Sequence, residues 1–209
     1  MLLRYRYRLY PTVPQRVALA KSFGSARVVY NDAVAARKRA HMEGLPYPST
    51  AQLSKQLITE AKRTPERAWL GEVSAVVLQQ ALADADRAWR NFFASLKGKR
   101  QGPRMGPPRF KRRSNPQSIR FTRNARFAVL GNGRLRLPKV GDLKVAWSRG
   151  LPSEASSVTV GKTGSGKYYA SFVVELGEGA DLLEPLTEPD AETGIDLGLK
   201  DFAVLRGGK

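Results

Sequence analysis

The chain has 209 residues, 42% apolar and 26% charged, enough to bury a sizeable core and too apolar for a disordered tail. Lys and Arg outnumber Asp and Glu 36 to 18, a formal charge of +18, so a polyanion is the first partner to consider. The absence of cysteine and a single histidine, His41, leave little material for disulfides, thiol nucleophiles, cysteine zinc ribbons, two-histidine metal sites or Ser-His catalysis. No stretch is long enough to span a bilayer, the first residues lack an apolar leader run, and a soluble cytoplasmic protein without a membrane partner is expected. Charge is uneven: residues 1–150 carry 31 basic and 8 acidic side chains, residues 151–209 carry 5 and 10.

Residues 3–10 alternate Leu3, Tyr5, Tyr7 and Leu9 with Arg4, Arg6 and Arg8, which predicts a strand with every arginine on one face. Pro11 ends it, and the capping-box spacing Thr12-Val-Pro-Gln15 opens a helix expected to run to about Met42, with His41 at its end. Ser49-Thr-Ala-Gln52 repeats the cap before a short amphipathic helix carrying Leu53, Leu57 and Ala61. Thr64-Pro65 is expected to start a longer helix, with Gly71 as a break near its start. Val73, Val77, Ala81, Ala85, Trp89, Phe92 and Leu96 keep the helical period to Gly98, and Trp69, Trp89, Phe92 and Phe93 read as core.

Residues 97–126 contain eleven Lys or Arg, no acid and several Pro and Gly, which reads as an extended basic connection. From Ser118 the period changes to two: Ile119–Phe121, Arg126–Leu130, Arg134–Leu137, Leu143–Trp147, Ser157–Val160 and Tyr168–Leu176 are expected strands, with Asn132-Gly133 as a hairpin turn. Short antiparallel strands in series predict a small barrel that the first strand joins, with the helical block as an insertion. Residues 177–192, acidic and proline-containing, read as a linker.

Gly161-Lys-Thr-Gly-Ser-Gly166-Lys167 fits the phosphate-loop pattern GxxxxGK. Tyr168 stands where Ser or Thr must hold magnesium, and a strand pattern follows where a helix is needed, so a Gly-rich hairpin turn is the better reading. At the end, Thr193-Gly-Ile-Asp196-Leu-Gly198 and Asp201-Phe-Ala-Val-Leu205 suggest two strands around a tight turn. That places Asp196 among apolar neighbours, where a carboxylate needs a cation or a strand-end position; Asp201 reads as a turn residue.

Six segments in this order resemble the N-terminal half of the TnpB or OrfB proteins of bacterial insertion sequences, compact relatives of type V CRISPR effectors. They are Tyr7-Arg-Leu-Tyr-Pro11, Ser25-Ala-Arg-Val-Val-Tyr-Asn31, Pro108-Arg-Phe-Lys111, Leu135-Arg-Leu-Pro-Lys139, Gly166-Lys-Tyr-Tyr169 and Gly194-Ile-Asp-Leu-Gly-Leu-Lys-Asp-Phe-Ala203. The resemblance implies an α+β fold: an oligonucleotide-binding-type antiparallel β-barrel, the wedge domain, interrupted by an α-helical recognition domain. Residues 1–12 and 112–178 would form the wedge, 13–111 the recognition domain with its basic connector, 179–191 the linker, and 192–209 the first hairpin of a RuvC nuclease domain.

The resemblance implies a guide RNA from the transposon end and target double-stranded DNA as partners, with cleavage by RuvC using Mg2+. Asp196 becomes the first RuvC carboxylate and a Mg2+ ligand only alongside later acidic residues absent from this sequence. Cutting by this chain alone, tight Mg2+ binding and a zinc site are therefore not expected, and the final hairpin should be poorly ordered or pair elsewhere.

Guided recognition leaves backbone shape and a short duplex motif to the protein. Arg4, Arg6, Arg8, Arg109, Lys111, Arg112, Arg113, Arg120 and Arg123 are the expected backbone contacts. On the resemblance, Tyr47, Gln79 and Thr122 would read the DNA motif; Gln suits adenine and the Thr methyl suits thymine. The alternative for Tyr47 is loop packing, and for Gln79 an exposed helix position. Tyr168 and Tyr169 are the stacking candidates, and because they alternate faces one can stack while the other packs. The alternative function is a nuclease-deficient basic RNA-binding or regulatory protein derived from the same family.

Overall fold

The structure, a computed structural model, describes residues 1–176 and, beyond them, only the short strands Ile195–Asp196 and Val204–Leu205. The first strand, β1 (Leu2–Tyr10), leads into a 30-residue helix, α1 (Val13–Met42). At its start Gln15 Oε1 accepts from the Thr12 amide at 3.0 Å, and its Nε2 donates to the Asp142 carbonyl at 3.0 Å, tying the helix entry to the sheet. The second cap is reciprocal: Ser49 Oγ accepts from the Gln52 amide at 3.2 Å and Gln52 Oε1 from the Ser49 amide at 2.8 Å. It opens α2 (Thr50–Ser54), after which residues 55–60 widen to a π turn. In that turn residues five apart share a face, so Leu53 and Ile58 are buried while Leu57, expected inside, is half-buried.

The next helix corrects the expected start at Thr64-Pro65. A 3₁₀ turn over Ala68–Glu72 and an extended Val73 intervene, and α3 spans Ala75–Leu96. Its buried stripe is Val77, Leu78, Ala81, Leu82, Ala85 and Trp89. Leu96 and Trp69, expected in the core, are exposed, Phe93 borders on exposure and Phe92 is half-buried. Between α1 and α3 the buried Arg37 donates to Asp86 at 2.7 Å, and Arg90 approaches the same carboxylate at 2.9 Å. Burial pushes the Asp86 carboxyl up, but the hydrogen bond and charge of Arg37, with Arg90 and Thr50, outweigh it and hold the group below its ordinary 3.8.

Six strands follow: β2 (Gln117–Thr122), β3 (Ala128–Val129), β4 (Leu135–Leu137), β5 (Gly141–Ala146), β6 (Ala155–Lys162) and β7 (Tyr168–Glu175). The seven-stranded antiparallel sheet has the order β2-β6-β7-β1-β5-β4-β3. β1 pairs with β7 from Leu2↔Glu175 to Leu9↔Tyr168 and with β5 at Arg8↔Ala146 to Tyr10↔Lys144. The first strand thus joins the later ones, and the helices between β1 and β2 are an insertion. The expected small antiparallel barrel takes the form of a curled half-barrel: β2 and β3 are its edges and do not pair with each other.

The Asn132-Gly133 turn forms, with Gly133 at φ +74° and its carbonyl accepting from the Trp147 indole at 2.7 Å. Tyr7, Trp147 and Phe172 stack beneath the sheet at 4.6–5.8 Å between centroids. These residues, the inner faces of β2 and β6 and the apolar stripes of α1 and α3 make one contiguous core.

Residues 177–209 form a separate unit in which β8 (Ile195–Asp196) and β9 (Val204–Leu205) pair antiparallel, Ile195↔Leu205 and Asp196↔Val204. The expected linker at 179–191, the Gly198 turn and the Asp196 side chain lie outside the described residues.

Candidate nucleic-acid interface

The alternation in β1 does what the sequence predicts: Tyr7 and Leu9 are buried, Arg4 and Arg6 exposed, and Arg8 half-buried on the outer face. Tyr169, opposite Arg8 in the register, lies on that face too. The Arg6 guanidinium sits 4.0 Å from the centre of the Tyr169 ring and that of Arg8 5.2 Å from it, so one aromatic face holds two cations in place. One terminal nitrogen of Arg8, Nη1, is buried without a protein partner. Of the pair, Tyr168 is the one that packs: at 7% exposure it lies in the core and is not available for stacking, because the strand turns alternate side chains to opposite faces.

The basic connection is extended, as expected, but it is not free. It runs along one stripe of α1 formed by Arg27, Asn31 and Lys38, whose spacings of four and seven residues keep them on one helix face. Lys38 Nζ lies 4.9 Å from the Phe110 ring. Asn31 takes both main-chain groups of Lys111: its Nδ2 donates to the carbonyl at 3.0 Å and its Oδ1 accepts from the amide at 2.8 Å. Arg27 donates to Gln117 Oε1 at 3.0 Å, and Gln117 Nε2 in turn donates to the carbonyls of Arg113 and Asn115. Only a carboxamide can donate and accept at once in this way; Asp in place of Asn31 would lose the donor. Arg109, Arg112 and Arg113 are left exposed on a fixed main chain.

Ion pairs decide which of the expected contacts keep a free charge. Arg120 lies 3.4 Å from Asp84 on α3 and is half-buried. Lys111 is turned onto α1, 4.1 Å from the Tyr30 ring, where burial pulls its pKa down and Asp84 partly restores it. The charge of Arg120 is thus largely absorbed within the fold, whereas Lys111 is exposed and rests over a ring with no acidic partner within ion-pair distance. Arg123 meets Glu154 at 3.5 Å, but both are exposed and the pairing is weak. Among the described residues, Arg4, Arg6, Arg8, Arg109, Arg112 and Arg113 have no acidic partner within ion-pair distance.

Four of them, Arg6, Arg109, Arg112 and Arg113, line a run of shallow depressions. The first, about 580 Å³, is bordered by Lys38, Arg109, Phe110, Arg112 and Asn115. The second, about 240 Å³, lies between residues 113–117 and the β6–β7 turn. The third, about 380 Å³, spreads over the outer sheet face with Arg6, Thr159, Lys162, Tyr169 and Ser171 on its walls. Asn115 is shared by the first two and Gln117 and Lys162 by the last two, so the run is continuous. Its sign and shape complement a polyanion.

Gly161–Lys167 is the β6–β7 hairpin turn, closed by Thr163 N to Lys167 O at 2.8 Å with Gly166 at φ +77°. It builds no phosphate loop of the GxxxxGK kind, since no helix follows.

Of the three expected motif readers, Tyr47 and Gln79 stand at different heights along α3. Tyr47, 40% exposed, packs edge-on against Trp89 and Phe93. Gln79, exposed, donates to Ser54 Oγ at 2.8 Å. It sits ten residues before Trp89 on α3, roughly 15 Å along the axis. Thr122 ends β2, opposite Ser157. Among the described residues no group of three His, Asp or Glu side chains is placed to hold a metal ion. Sequence reasoning missed Arg27, Asn31, Lys38, Phe110 and Gln117. Asn31 and Lys111 are 80 residues apart, and only their places inside two of the resembling segments hinted at a role.

Curled sheet, inserted helices and a cation-lined groove describe a class of protein built to meet a polyanion. Comparison with known proteins is specific. The OrfB/IS605 family model described as a helix-turn-helix domain matches residues 1–45, which here are β1 and α1. A Streptomyces pristinaespiralis protein named "Putative RNA-guided DNA endonuclease" is 37% identical over 98% of this chain and 48% of its own length. The Escherichia coli K12 protein named "Putative RNA-guided DNA endonuclease InsQ" is 28% identical over 98% of this chain and 47% of its own. A solved Cas12f1–sgRNA–target DNA complex aligns with 100% of this chain and 55% of that one, at TM-score 0.43 and 12% identity. Over nearly its whole length the chain is thus similar to proteins named as RNA-guided DNA endonucleases, and it spans about half the length of the curated relatives it matches.

Proposed function

We propose that this chain is the nucleic-acid-gripping half of an RNA-guided DNA endonuclease. It would hold a guide RNA transcribed from the transposon end and meet target double-stranded DNA beside a short adjacent motif. The observation that carries this reading is the run of adjoining depressions lined by the free cations Arg6, Arg109, Arg112 and Arg113, with Arg4 and Arg8 beside Arg6 on the same strand face. Phosphate contacts of that kind supply affinity without sequence, and base pairing by the guide then selects the target.

In this reading the sheet acts as the wedge domain, the inserted helices as the recognition domain, and 192–209 as the opening of a RuvC domain. Asp196 would be its first carboxylate, a Mg2+ ligand completed by residues outside this sequence; bound Mg2+ would stabilise the attacking and leaving oxygens of a phosphodiester. What this chain's own residues do is bind and orient the backbone. Tyr47, Gln79 and Thr122 would contact the duplex motif.

The test is a band-shift assay with RNA from the element's end and duplex DNA carrying candidate flanking sequences. Binding only of duplexes matched to the guide supports the proposal. Tight RNA binding with DNA binding indifferent to the guide's sequence would leave a basic RNA-binding protein instead.

A further inference from the structure

Phe110 has no counterpart in the core, yet its place is rigidly determined. Its ring is 51% exposed. The residue after it is fixed by both Asn31 hydrogen bonds, and the residues before it are Pro107, Pro108 and Arg109, with Pro108 buried. One side of the ring faces the Lys38 ammonium at 4.9 Å, and the depression it borders carries Arg109, Arg112 and Asn115. Its volume, about 580 Å³, falls in the range of small-ligand sites. A flat apolar ring displayed in water among cations, on a main chain that cannot swing away, fits a ligand with one flat face and a nearby negative charge.

We propose that this depression takes one unpaired nucleotide of a single-stranded nucleic acid, its base stacked on Phe110 and its phosphates on Arg109, Arg112 and Lys38. Asn31 is then a positioning residue, acting through the main chain of Lys111. The inference rests on the nucleic-acid reading above and refines it. Phosphate contacts serve duplex and single strand alike, whereas stacking on Phe110 requires a base freed from its neighbours.

The experiment uses the full chain and three probes: a short single-stranded RNA carrying 5-iodouridine, the matching single-stranded DNA carrying 5-iododeoxyuridine, and a blunt DNA duplex. Photocrosslinked peptides are mapped by mass spectrometry, and affinities are measured for the wild type, Phe110→Ala and Phe110→Leu. The expected result is a crosslink on Phe110 and a loss of roughly 5- to 150-fold in single-strand affinity for Phe110→Ala, with duplex affinity within about two-fold of wild type. Phe110→Leu keeps bulk without a flat ring and should lose nearly as much. Far-UV circular dichroism melts check that these surface substitutions leave the fold intact.

Comparing the RNA and DNA probes tells which strand supplies the nucleotide. Single-strand binding unchanged in Phe110→Ala, or an equal loss for duplex, would overturn the site while leaving the wider reading standing. A wild type that binds none of the three probes would overturn both.

Discussion

Replacing Arg4 and Arg6 by Gln tests the groove where its geometry is plainest. Both side chains are exposed on the outer face of β1, neither has an acidic partner among the described residues, and the strand beneath them is paired along its length with β7. Each cation that neutralises one phosphate of a single strand adds about 0.7 to the slope of log affinity against log salt. Two should therefore lower the slope by about 1.4, and between 50 and 200 mM salt that amounts to roughly a seven-fold difference. The assay is fluorescence anisotropy of a labelled single-stranded RNA over that salt range. Its control is Arg136→Gln with Asp142→Asn, which removes a guanidinium held on a carboxylate at 2.8 and 2.9 Å and leaves the net charge unchanged. An unaltered slope in Arg4→Gln/Arg6→Gln, or an equal change in the control, would refute the assignment of this face.

Four further outcomes are expected. Asp86→Ala leaves the buried Arg37 unpaired and should destabilise the fold by about 3–5 kcal/mol in urea denaturation. Because the folded-state pKa of Asp86 lies below 3.8, its contribution is fully present above that pH and fades as pH falls through the lower folded value; the stabilities of wild type and Asp86→Asn should differ by a constant amount above that window and converge only within it. Phe172→Ala, at a fully buried ring stacked 5.6 Å from Trp147, should lose about 3–5 kcal/mol, and a loss under 1 would contradict the packing. ATP with Mg2+ should not be hydrolysed, and any thermal shift it produces should survive Lys167→Ala, since the Gly161–Lys167 segment is a hairpin turn; a thermal shift abolished by Lys167→Ala would reverse that assignment.

The features legible in the sequence are those set within a few residues. The β1 alternation, the Ser49 cap, the end of α1 near Met42 and the Asn132-Gly133 turn each depend on local backbone and side-chain geometry, and each appears where the pattern put it. The arginine face and Tyr169 were readable for the same reason, whereas which tyrosine of the pair packs inward depended on which sheet face the core covers. The start of α3 was misplaced because helical periodicity persists through a 3₁₀ turn that only packing distinguishes.

What tertiary structure alone decided is the fate of the charges and the course of the connector. A run of eleven cations without an acid looks uniform along the chain. Folding brings Asp84 to Arg120 and the Tyr30 ring under Lys111, from 36 and 81 residues away in sequence, and leaves Arg109, Arg112 and Arg113 free. Asn31 clamps Lys111 across 80 residues, because an extended segment on a helix must find partners for its amide and carbonyl. Composition thus determined that the protein meets the world with positive charge, and long-range packing determined which of those charges remain available to a partner.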